Sequence, residues 1–129
     1  MSKYPKIKNP DLVGTYSALT KSGGGYVWDD VLEYRVWCHP HDGVPDSYEG
    51  EDYYYCFDNF EDALEFSKAT KGAEEPLALI LQEEYIDEPE PGRYIHKKGP
   101  RITEWRVEWL DSPRRNASTI PDFINKGAS

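Results

Sequence analysis

The sequence predicts one α+β domain, a four-stranded sheet in β-β-α-β-β order with one helix packed on one face. Three observations carry that prediction. Between Leu32 and Cys38, apolar Leu32, Tyr34, Val36 and Cys38 alternate with Glu33, Arg35 and Trp37, the period of an extended chain. Thr103, Trp105, Val107 and Trp109 alternate in the same way with Glu104, Arg106 and Glu108. Between these stretches, residues 58–71 change to a helical period with a start and a stop signal. The length of 129 residues is that of one domain, and the 4 Trp, 10 Tyr and 4 Phe predict an aromatic core.

In chain order, residues 1–25 contain Pro5, Pro10 and Ser22-Gly23-Gly24-Gly25 and read as a flexible N-terminal arm ending in a hinge. The α+β domain spans 26–110. Its first strand ends at Cys38, and the loop His39–Asp52, rich in Pro, Gly and Asp, leads to a second strand at Tyr53–Phe57. Asp58 and Glu61 form a capping box, so a helix is expected to run to about Lys71 before Gly72. Its wheel places Phe60, Ala63, Leu64 and Phe66 inward, with Glu61, Asp62, Glu65 and Lys68 outward. Leu77–Leu81, continuing to Ile86, is a continuous apolar run and predicts a strand buried on both faces. Asp87–Gly99, with Pro89, Pro91 and Gly92, reads as a long loop, followed by the alternating fourth strand. The tail 111–129 is polar except around Ile120–Ile124, where a single docked helical turn with Pro121 at its first position is expected.

The formal charge of −9 is unevenly spread: residues 46–90 hold fifteen acids against two bases, and residues 91–129 eight bases against four acids. An acidic middle repels phosphate, so nucleic acid is not an expected partner. No apolar run reaches membrane-spanning length and MSKYPKIKNP has no apolar export core, so the expectation is a cytoplasmic protein with no membrane partner. In that compartment Cys38 and Cys56 are expected as free thiols.

Among the candidate site residues, Arg35, Trp37 and Arg106 project from the mixed faces of two strands and form the predicted binding face. A charge in the middle of a strand needs a carboxylate partner or a ligand. A single helix covers only one side of such a sheet, and an open aromatic face gives a physical motive for association with another protein or with a second copy as a homodimer. His39, His41 and Asp42 have donor types suited to a metal ion, although no second ligand pair with signature spacing accompanies them. No cofactor is expected.

From Tyr26 to Leu110 the blocks YVWDDVLEYRVWCHP, FEDALEFS, EEPLALILQEEYIDEPEPG and ITEWRVEWL resemble those of a group of small, largely uncharacterised bacterial proteins. Some of these are labelled acetyltransferases of the GNAT type, and the resemblance implies that activity as an alternative. The glycine turn with which such enzymes hold the pyrophosphate of acetyl-CoA has no counterpart at Phe57-Asp58-Asn59-Phe60, where carboxylates open the helix. The leading expectation is a non-catalytic interaction or self-association module. The alternative is a small enzyme or ligand-binding protein using loop 39–46 and Arg35.

Overall fold

Nine residues, Asp30–Cys38, form strand β1, and seven of them are buried, because this strand lies inside the sheet and is covered on both faces. The computed structural model describes residues 4–17, 28–43, 50–111 and 114–127; the glycine run 22–25, Tyr26 and Asp46 lie outside them. The other elements are β2 (Tyr53–Phe57), α1 (Phe60–Ala69), β3 (Leu77–Glu90), β4 (Arg93–Arg106) and α2 (Thr119–Gly127). The sheet runs in the order β2-β1-β3-β4, and every neighbouring pair is antiparallel.

The expected sheet, four simple strands with one helix, needs correcting. Residues 87–99 are not a loop: β3 and β4 are 14 residues each and pair from Leu77↔Arg106 to Glu90↔Arg93. Pro91 and Gly92, whose φ is 82°, make the tight turn between them. Pro89 falls where the register shifts between Asp87 and Glu90, so its missing N–H costs no ladder bond. Gly99 and Pro100 fall at a second irregularity, between Glu84↔Lys98 and Gln82↔Arg101. The prolines and glycines thus mark a turn and two bulges in a ribbon. When the halves of β4 on either side of that bulge are counted separately, the sheet has five strand segments, and it carries two helices.

The second helix is α2, nine residues long where a single turn was expected. Ile120, Phe123 and Ile124 follow helical spacing and form a small second core with Ile86 and Tyr94. The tail leading to α2 is held by ion pairs, with Arg115 Nε 2.7 Å from Asp29 Oδ1 and Arg114 donating to the Asp29 carbonyl and the Asp30 carboxylate. The fourth strand also stops earlier than its alternation implied. Val107–Asp111 coil into a 3-10 turn, which swings Trp109 edge-on against Trp105 at 5.7 Å.

Helix α1 is capped by Asn59, one residue later than expected, whose side chain accepts from the Asp62 N–H at 2.8 Å. Its fully buried residue is Ala63, whereas Leu64 is only half-buried. The small Ala63 lets the helix approach Tyr34, Val36 and Ala78, while Phe66 fills the flank against Tyr55 and Phe57. A register shift at Leu32 turns Val31 onto this same face.

The opposite face carries Glu33, Arg35, Trp37, Cys56, Leu79 and Glu104, and the described part of the N-terminal arm crosses it. Tyr4 packs edge-on against Phe60 on the helix side, at 4.6 Å. Ile7 bridges Val31 in parallel, and the chain then makes the 3-10 turn Pro10–Leu12. Beyond that turn, the Gly14 N–H donates to Glu33 Oε1 at 2.7 Å, and the Tyr16 carbonyl accepts from Arg35. The arm therefore straps the sheet from one face to the other. No helix among the described residues is long and apolar enough to cross a membrane.

Candidate functional site

Cross-strand register builds the site. Arg35 lies opposite Leu77, and Leu77 lies opposite Arg106, so both arginines and Trp37 share one face of the sheet. Their environments differ sharply. Arg35 is 3% exposed, between Glu33 at 0% and Glu104 at 3%. Its Nε donates to Glu33 Oε2 at 2.7 Å, its Nη1 to Glu104 Oε2 at 3.3 Å, and its Nη2 to the Tyr16 carbonyl. The guanidinium also stacks over Tyr54, 4.4 Å from the ring centre. Burial pulls the Arg35 pKa down, but the Glu33 and Glu104 carboxylates more than compensate, leaving it above its ordinary value.

Trp37 joins the same network. Its indole N–H donates to Glu104 Oε2 at 2.9 Å, and its ring lies 4.8 Å from that of Tyr54. The Cys56 thiol donates to Glu33 Oε2 at 2.8 Å, and burial together with that carboxylate pushes its pKa up to about 12. Burial also raises the Cys38 pKa. Both thiols are free and lie on opposite faces of β1 and β2, so neither can bridge the other or form a thiolate readily. The open aromatic face expected over Arg35 is thus closed, because the arm adds the Gly14 N–H to Glu33 and the Tyr16 carbonyl to Arg35, completing the hydrogen bonding of charges already paired with each other.

The open part of this face lies at its Arg106 end. There Glu74, Glu75, Pro76, Leu77, Arg106 and Glu108 line a cleft of about 440 Å³. Pro76 and Leu77 give it an apolar floor. Exposed Arg106 is engaged by Glu108, Nε to Oε2 at 3.1 Å, so the rim carries three carboxylates against one guanidinium. Glu74 also forms part of a clasp. His39 sits between Asp52 and Glu74, its Nδ1 2.9 Å from Asp52 Oδ1 and its Nε2 2.8 Å from Glu74 Oε2. Hydrogen bonds to Glu74 and Asp52 raise the His39 pKa.

The three residues considered for a metal are not gathered around one point. His41 and Asp42 are exposed in a 3-10 turn, and both ring nitrogens of His39 are occupied by carboxylates. Among the described residues no group of three or more His, Cys, Asp or Glu is arranged to hold a metal ion. Two residues of this candidate site carry no signal in the sequence: Glu104, visible only as the polar half of an alternation, and Glu74, in a loop. Glu104 lies 69 residues from Arg35 and Glu74 lies 35 from His39, separations at which no sequence pattern signals a contact. Comparisons of the chain with protein families, with characterised proteins and with solved structures find no match.

Proposed function

We propose that this protein is a non-catalytic interaction module that takes a basic segment of a partner protein in the cleft between Glu74–Leu77, Arg106 and Glu108. The observation that carries the reading is the composition of that cleft, an apolar floor with three carboxylates against one arginine. Charge complementarity of this kind selects lysine- or arginine-bearing chains and repels acidic ones and nucleic acid. Arg35 and Trp37, expected at the contact itself, act beneath it in this reading: they fix Glu104 and the strand ends on which the cleft is built.

The alternative, an acyltransferase-like enzyme using loop 39–46 and Arg35, has less support. All three nitrogens of Arg35 are bonded internally, both thiols are held protonated, and His39 is clamped from both sides. The reading places the protein in the cytoplasm, where such thiols stay reduced. A second copy is one source of a basic segment, because Arg93, Lys97 and Lys98 are exposed on β4 far from the cleft.

A tetralysine peptide titrated into the protein tests the proposal by calorimetry. Binding is expected to weaken with salt and to be lost in Glu75→Lys, while tetraglutamate does not bind. Equal binding of both peptides, or of tetralysine to wild type and Glu75→Lys, overturns it. Sedimentation of the same samples distinguishes a foreign partner from a second copy.

A further inference from the structure

The sheet order β2-β1-β3-β4 leaves two edges, and the chain treats them differently. β4 is blunted: two register shifts, one of them at Gly99-Pro100, interrupt its pairing with β3, and Arg93, Lys97, Lys98 and Arg101 place cations along it. β2 has none of these devices. Tyr53–Phe57 contains no charge, proline or glycine, and it pairs with β1 in unbroken register from Tyr34↔Phe57 to Cys38↔Tyr53. The direction of its backbone groups follows from the far side of β1. There the Glu74 N–H donates to the Trp37 carbonyl at 2.8 Å and the His39 N–H to the Gly72 carbonyl at 3.0 Å, so Trp37 and His39 turn their backbone groups away from β2. Tyr34, Val36 and Cys38 therefore turn theirs toward it and bond Phe57, Tyr55 and Tyr53. The N–H and C=O of Tyr54 and Cys56 point outward, and among the described residues no backbone group bonds them. Between them Tyr55 is 49% exposed, its ring edge-on to Phe66 at 5.1 Å.

We propose that this edge receives an extended segment of a partner protein as an added strand, antiparallel like every other neighbour in the sheet. The charges at its ends set the chemistry of that segment. Exposed Glu51 and Asp52 precede β2, Asp52 sharing His39, and exposed Asp58 follows it. A second copy paired antiparallel about Tyr55 sets Asp52 of each copy against Asp58 of the other, and like charges directly opposite are destabilising. A segment of about five uncharged residues with lysine or arginine at both ends meets carboxylates instead. A β-branched residue at its centre packs on Tyr55, and the residues on either side of that one bond Tyr54 and Cys56. β1 separates this edge from the cleft at Glu75, so the proposal does not rest on the function assigned to that cleft.

The test is calorimetry of the full chain with the peptide Lys-Lys-Val-Thr-Val-Thr-Val-Lys-Lys. Methylating the backbone nitrogen of both threonines, which removes the donors to Tyr54 and Cys56, is expected to weaken binding by about tenfold or more. Methylating the central valine nitrogen, which faces away from β2, should leave binding unchanged. Tyr55→Lys should weaken binding and Glu75→Lys should not; if Tyr55→Lys fails to fold, the two methylated peptides and Glu75→Lys carry the test. The proposal is overturned if the parent peptide does not bind, or if the threonine-methylated peptide binds equally well. It is also overturned if binding is lost in Glu75→Lys and kept in Tyr55→Lys, which assigns the peptide to the cleft. Sedimentation of the wild type as a dimer that Tyr55→Lys dissociates overturns it as well, since a second copy then holds the edge.

Discussion

Replacing Arg35 by methionine removes the cation between two carboxylates, Glu33 and Glu104, whose side chains are 0% and 4% exposed. Methionine fills most of the volume, so the loss is electrostatic rather than a cavity. Breaking a buried ion pair from one side costs about 3–5 kcal/mol, because the remaining charge keeps its desolvation penalty and loses its partner. Over 129 residues, an unfolding entropy of roughly 2.1 cal/mol/K per residue comes to about 0.27 kcal/mol/K, so the melting temperature should fall by about 11–18 °C. The Tyr16 carbonyl loses its donor as well, so limited proteolysis should cut the arm near residues 9–17 faster than in wild type. Differential scanning calorimetry at neutral pH is the assay. Glu33→Leu/Arg35→Met/Glu104→Leu should recover much of the loss, as apolar replacements of whole buried networks do. A melting temperature for Arg35→Met within about 3 °C of wild type, which corresponds to less than 1 kcal/mol, would refute the buried network.

Helix α1 offers a paired test: Ala63→Leu should destabilise by about 1–3 kcal/mol through overpacking at a fully buried site, and half-buried Leu64→Ala by less than the 2–5 kcal/mol of a core leucine, both read by urea unfolding. Asn59→Ala should cost about 1 kcal/mol by removing the cap on the Asp62 N–H. The His39 clasp predicts a pH dependence. Its folded pKa lies above the ordinary 6.5, so its stabilisation is fully present below that pH and disappears as pH rises through the folded value. The melting-temperature advantage of wild type over His39→Gln should therefore shrink on going from acidic to alkaline buffer, and a constant difference would refute the clasp. Ellman's reagent should find both thiols unreactive in the native protein and titrate two on unfolding, because Cys56 is hydrogen-bonded to Glu33 and Cys38 is 0% exposed.

Local pattern alone determined the elements whose signal lies within a few consecutive residues. The alternation from Val31 to Cys38, the aromatic strand Tyr53–Phe57, the capped helix near residues 59–70 and the apolar start of β3 are all legible, because each depends on residues a few positions apart. The same pattern brought Arg35, Trp37 and Arg106 to one face, since side-chain direction in a strand follows from its period. Tertiary structure decided the rest. Pro89, Pro91, Gly92, Gly99 and Pro100 suit a loop or a bulged ribbon equally well, and only the pairing of Glu84 with Lys98 and of Asp87 with Ile95 selects the ribbon. Val107 and Trp109 keep a strand's alternation yet leave the sheet, because packing against Trp105 outweighs a preference worth at most ~1 kcal/mol. Whether Arg35 faces solvent, a ligand or a buried partner was undecided by its neighbours in sequence. Glu104 and the Tyr16 carbonyl, brought from 69 and 19 residues away, made it a buried structural cation, and the same closure left the cleft beside Arg106 as the open end of the face.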